Sequence, residues 1–189
     1  MKYEKDLYLI QQIFATIFTL SNKIQVKGDQ SLNSLTTRQM MLMTAILHLP
    51  NGKATHSNLA KMLGSTRQSV KQLISILENK GYIVSVPSAL DKRATEIQIT
   101  DTGKTAVMIS AEQSIHLFTE MFSKFTTREL ELLWLLLKKL YYYDGNEPLN
   151  FEENINYGDS EDFTESQLQT LEKFDARRAK IEMEGDSIE

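Results

Sequence analysis

The chain has 189 residues, 41% hydrophobic and 24% charged, which suits one domain with a real core and an appendage and excludes fibrous or wholly disordered architectures. It contains no cysteine, so disulfide scaffolds, thiolate metal sites and thiol catalysis or redox sensing are excluded as well. The net charge of −4 averages two unlike parts: residues 1–143 hold 17 Lys and Arg against 11 Asp and Glu (+6), and residues 144–189 hold 4 against 14 (−10). A basic body beside an acidic tail points to a polyanionic partner for the body.

The longest strictly apolar run, Leu132 to Leu137, falls far short of the roughly 20 residues that span a bilayer. The opening MKYEKDLY places Glu4 and Asp6 ahead of any apolar stretch, unlike a signal peptide. No membrane association and a cytoplasmic location are expected.

Leu7, Ile10, Phe14, Ile17 and Ile24 recur at helical spacing and predict a long helix from Lys2 to about Val26, ended by Gly28. Thr36 followed by Gln39 predicts a capping box opening a second helix through Met40, Met43, Ile46 and Leu47, which stops at Pro50 and Gly52. A shorter helix through Leu59 and Met62 follows Thr55. After a turn at Gly64, Ser65 with Gln68 as its box partner is expected to open another helix, which Gly81 closes. Tyr82 to Val86 and Thr95 to Ile99 alternate like a two-stranded hairpin, with Glu96 and Gln98 on a wet face.

Beyond Thr100, Val107, Ala111, Ile115, Phe118 and Phe122 predict a long helix packed lengthwise on another. Thr126 and Glu129 form a third capping box before Leu132 to Leu137, a helical stretch apolar all the way round. Such a stretch must be covered on several sides, and in a chain this short that predicts a second subunit, hence a homodimer. The acidic sequence after Tyr143 reads as loop, until Thr164 and Gln167 open a last candidate helix, about 165–183, bearing Leu168, Leu171 and Phe174. The expected organisation is a body over 1–143 followed by an acidic extension over 144–189.

The segment SNLAKMLGSTRQSVKQLISILENKG, residues 57–81, has the spacing of a helix-turn-helix. Ala60 is small where two helices cross, Gly64 suits the tight turn, and Val70 anchors the second helix. At about 100° per residue, Val70, Leu73, Ile74 and Leu77 face inward. Gln68 and Gln72 then face outward, with Arg67, Ser69 and Lys71 on the flanks and Ser65 and Thr66 at the N-terminus. These donors and acceptors suit base edges and phosphates in a major groove, and no acidic residue precedes Glu78 in this helix. The hairpin loop PSALDKRA places Asp91, Lys92 and Arg93 at a tip that can reach a minor groove.

The string DKRATEIQIT, residues 91–100, resembles the wing signature of MarR-family winged-helix regulators: Asp and Arg separated by one residue, then alternating aliphatics ending in Thr. LTTRQMMLMTAI resembles the segment that precedes that family's helix-turn-helix, and ENKGYI the exit of its recognition helix. The resemblance covers about residues 5–143. It implies a mainly α fold with a small β-hairpin wing, a winged helix-turn-helix DNA-binding lobe about 36–100 and long terminal dimerisation helices about 2–27 and 101–143. It also implies a homodimer on palindromic double-stranded DNA with half-sites one turn apart, repression of transcription, and release by a small-molecule inducer held between lobe and dimer helices. The acidic tail is longer than the family pattern requires, and its charge is expected to compete with DNA for the basic face.

No enzyme is expected, because no base, nucleophile and oxyanion donors are brought together; Ser57 beside His56 is not a triad, and the pair is expected to cap the helix or stand exposed, or else to touch phosphate. No cofactor or metal is expected, since His48, His56 and His116 are scattered. Trp134 and Tyr141 to Tyr143 belong either to a ligand crevice or to a subunit contact. A rival of another class is a winged-helix adaptor that binds protein and uses the acidic tail as a docking arm.

Overall fold

A computed structural model describes residues 3–88, 95–145, 151 and 165–185. The order is α1 (Glu4–Ser31), α2 (Thr37–His48), α3 (His56–Met62), α4 (Arg67–Asn79), β1 (Ile83–Pro87), β2 (Thr95–Ile99), α5 (Asp101–Met121), α6 (Thr127–Tyr141) and α7 (Glu165–Gly185). This is the expected mainly α fold with one antiparallel hairpin. Among the described residues no helix is long and apolar enough to cross a membrane.

α1 runs through Gly28 and ends at Leu32, whose extended backbone stops the helix. Gly28 is buried, and a Cβ there would collide with the Thr37 hydroxyl, so this glycine lets α1 and α2 touch where it was expected to end α1. Asp29 secures the same contact by accepting the Thr37 N–H at 2.6 Å. The Thr36–Gln39 capping box then opens α2 as predicted.

The lobe core joins Leu42, Met43 and Ile46 of α2, Leu59 and Met62 of α3, Val70, Ile74 and Leu77 of α4, and Ile83 and Ile97 of the hairpin. β1 and β2 pair from Ile83 opposite Ile99 to Pro87 opposite Thr95. The hairpin departs from its expected wet face at Glu96, which is buried and accepts the Gly52 N–H at 2.7 Å. The cause is a third segment beside β2: Thr55 bridges Glu96, and the Ile97 N–H donates to Ala54 O at 2.8 Å.

Thr100 caps α5, accepting from the Gly103 N–H at 3.0 Å and donating to Gly81 O at 2.7 Å, which ties the start of α5 to the exit of α4. The inward face of α5 is not the bulky stripe that the spacing suggests. Gly103, Ala106, Val107, Ser110, Ser114 and Leu117 are buried, while Phe118 is 47% exposed. α5 packs on α1, α2 and α7, and small side chains permit that close approach. Ser114 folds back on its own helix, donating to Ser110 O at 2.8 Å.

α6 opens on the predicted Thr126–Glu129 box but buries none of its residues within the chain. Beyond it, Phe151 returns to the lobe and packs edge-on against His48, with ring centroids 5.1 Å apart. α7 lies along α5, and the Arg178 guanidinium spans the α5–α6 turn, donating to Phe125 O and to Thr127 Oγ1. The Thr164 cap predicted for α7 lies outside the described residues.

Candidate nucleic-acid interface

α3 ends in a paired hydrogen-bond motif: the Gly64 N–H donates to Lys61 O at 3.2 Å and the Ser65 N–H to Ala60 O at 2.9 Å. This closure needs a left-handed residue, and Gly64 has φ +55°. Because Ser65 is committed to ending α3, it does not cap α4 as its spacing suggested. Thr66 takes that role, accepting the Ser69 N–H at 3.1 Å. Ala60 and Val70 are buried at the helix crossing, as the spacing requires.

The inward stripe of α4, with Val70, Ile74 and Leu77 buried, fixes the rotation of everything else on the helix. Arg67, Gln68, Lys71 and Gln72 are exposed, and so is Thr66 at the N-terminus; Ser65 and Ser69 are half-buried. The same exposed face continues past the sequence-predicted residues through Ser75, Ile76 and Asn79. Gln68, Lys71, Gln72, Ser75 and Ile76 together line an open hollow of about 490 Å³. The angular rule that selected Gln68 and Gln72 also selects Ser75 and Asn79. Both lie in the third and fourth turns of α4.

The first turn of α4 holds no acidic side chain, so its positive dipole end is unopposed there. Glu78, the one acid of α4, is engaged by the Ser85 hydroxyl of β1, which anchors the helix to the wing. At the far end of α4, the Lys80 ammonium donates to Ser34 O and to Gln39 Oε1, each at 3.0 Å. Gln39 is buried, so this bond joins the exit of α4 to the start of α2. Sequence spacing gave no sign of it, because the partners lie 41 residues apart. Asp91, Lys92 and Arg93 of the wing tip lie outside the described residues.

A second hollow, about 440 Å³, opens where the lobe meets α5, between Ser34, Tyr82, Asp101, Thr105 and Ile109. Neither hollow includes Trp134 or Tyr141 to Tyr143. Trp134 is 53% exposed on α6, and Tyr141 packs edge-on with Tyr142 at 5.7 Å. His56 is half-buried at the start of α3 with Ser57 exposed beside it. His48 uses Nδ1 on Thr44 O at 2.9 Å. Among the described residues no three His, Asp or Glu side chains converge on a metal-sized site.

A model of the MarR family matches residues 33–94, from the loop before α2 to the end of the hairpin loop. The transcriptional activatory protein BadR of Rhodopseudomonas palustris is 25% identical over 143 residues, covering 72% of this chain and 81% of that protein. The crystal structure of the transcriptional regulator BldR from Sulfolobus solfataricus superposes with a TM-score of 0.60 at 25% identity, covering 75% of this chain and 98% of that one. MepR of S. aureus, solved as a complex with DNA, gives a TM-score of 0.60 at 23% identity and covers 67% of this chain and 94% of its own. Family match over residues 33–94, hairpin and helix order agree: the chain is similar to the MarR family of winged-helix transcriptional regulators.

Proposed function

We propose that the chain acts as a homodimer that sets its two α4 helices into successive major grooves of a palindromic duplex, with half-sites roughly 34 to 36 Å apart. The observation that carries this reading is the outward face of α4, acid-free in its first turn and unobstructed from Gln68 to Ile76. In the assigned roles, Gln68 and Gln72 meet base edges, and Arg67 and Lys71 meet phosphates or flanking bases. Ser65, Thr66 and Ser69 approach the backbone, and Asp91, Lys92 and Arg93 carry the wing to the neighbouring minor groove. The MepR complex with DNA supports this docking mode by likeness of fold.

The second subunit is inferred from α1 and α6. Phe14 is 73% exposed, Leu135 62% and Leu136 55%. Apolar surface on that scale along two helices is what a partner subunit covers. In this reading the body extends over residues 1–143 and the acidic extension over 144–189. Occupancy of a promoter represses transcription, and a small molecule seated in the hollow between the lobe and α5 relieves it.

A gel-shift titration on a selected operator tests the recognition assignment. Arg67→Ala and Gln68→Ala are each expected to cost about 1 to 3 kcal/mol on the operator and little on unrelated DNA. Lys92→Ala weakens all duplexes alike and lowers the salt slope by about one. Unchanged operator affinity in the first two variants would remove α4 as the reading element. Salt-sensitive, sequence-blind binding by the native chain would favour a protein-binding adaptor instead.

The extension allows a separate measurement. α7 packs along α5 and is tied to the α5–α6 turn by Arg178, and the remaining acidic residues are proposed to screen the basic lobe. Ending the chain after Tyr143 then tightens operator binding at low salt and leaves it unchanged at high salt. Equal affinity at both would show that the extension does not compete with DNA.

A further inference from the structure

The reading face of α4 has a chemical asymmetry that says what sequence it reads. At about 100° per residue, Gln68, Gln72, Ser75 and Asn79 run along the centre line of the exposed face. All four are neutral amides or hydroxyls. The cations Arg67 and Lys71 fall along one edge. On the opposite edge stands Ile76, 43% exposed on an otherwise polar face.

Each base pair shows its own pattern in the major groove. A glutamine amide offers one acceptor and one donor group side by side, which matches the N7 acceptor and N6 donor of adenine. It does not match guanine, which presents two acceptors, nor cytosine, which presents a donor. Guanine is best met by Arg or Lys, and the helix keeps both off its centre line. An exposed isoleucine finds its counterpart in the thymine 5-methyl group, the apolar feature of that groove.

We infer that this chain reads an A·T-rich half-site core, with Gln68 and Gln72 each on an adenine edge and Ile76 against a thymine methyl. The inference rests on α4 being the reading element, as proposed above. Gln68 and Ile76 are eight residues apart, about 12 Å along a helix rising 1.5 Å per residue. That length covers about three to four base-pair steps of 3.4 Å, so the core is about four to five consecutive A·T pairs. Ser75, whose hydroxyl donates or accepts, tolerates either neighbour and does not restrict the block.

The test uses the full chain. Duplexes selected from a random pool are expected to share paired half-sites with such a core. Two atomic replacements in a selected duplex then address single contacts. Replacing a core adenine by 7-deazaadenine removes N7 and is expected to lower native affinity about tenfold. The penalty disappears in Gln68→Ala or Gln72→Ala, according to which adenine is altered. Replacing a core thymine by uracil removes only the methyl and lowers affinity about threefold, an effect lost in Ile76→Ala.

Enriched half-sites with G·C cores would overturn the inference while leaving specific DNA binding intact. So would analogue penalties equal in native and variant proteins. A pool with no enriched sequence would instead overturn the specific-binding reading, and this inference with it.

Discussion

Replacing Phe14 and Leu135 by aspartate is expected to convert the protein to a monomer and to weaken operator binding by two to four orders of magnitude. Within one chain these positions are open, with Phe14 73% and Leu135 62% exposed, so a solitary subunit would lose almost nothing; surface changes of this kind stay within about 0.5 kcal/mol. A dimer that buries them must instead desolvate two carboxylates in an apolar seam, at several kcal/mol for each. Once the subunits part, the second half-site is no longer engaged at the millimolar effective concentration that the dimer provides, and the avidity is lost. Light scattering after gel filtration gives the mass directly, and a gel shift gives the affinity. An unchanged mass would sink the two-subunit reading, whatever the DNA result.

The second large effect is expected at Gly103. A Cβ there would run into the Tyr82 carbonyl, 2.8 Å from its carbon, and would lie 2.9 Å from Ile99 Cγ2. Neither neighbour can move freely: the Tyr82 carbonyl accepts the Thr100 N–H at 3.0 Å, and Thr100 is fixed in turn by its bond to Gly81 O. Gly103→Ala should therefore cost about 3 kcal/mol, which for a protein of this size lowers the melting midpoint by roughly 6 to 12 °C. Gly28→Ala is the informative companion. Its Cβ meets the Thr37 hydroxyl, which must give up its 3.3 Å bond to Gln25 O while no backbone atom has to shift, so a loss nearer 1 kcal/mol is expected. Equal melting shifts for the two would mean that the Tyr82 carbonyl yields as easily as a threonine rotamer.

What could be read from the residues was whatever local chemistry decides. The Thr36–Gln39 and Thr126–Glu129 boxes, the Ala60, Gly64 and Val70 spacing and the limits of β2 each depend on neighbours within a few positions, and each appears where expected. The misread residues answer to distant partners. Gly28 resembles a helix stop until α2 arrives beside it. Glu96 alternates onto an apparently wet face until residues 52–55 cover that face. Along α5 the eye follows bulk, but Ser110 and Ser114 are inside because neighbouring backbones come close. On the outward face of α4, the inward stripe fixes the positions of Gln68, Gln72 and Ser75 alike, while Ile76, off that centre line, joins them only in the shared hollow.

The bonds of Glu96 to Gly52 and of Ile97 to Ala54 have a mechanical consequence. With Glu78 held to Ser85 as well, the hairpin, α4 and the segment 52–55 are stitched crosswise, so the hairpin does not hinge on its own. In the proposed dimer each lobe would then act as a stiff tile, and any change in span would alter the gap between two tiles rather than the shape of either. In a paired molecule on a duplex of fixed pitch, such an arrangement works as a caliper, in which a small change in span puts both tips out of phase with their grooves at once.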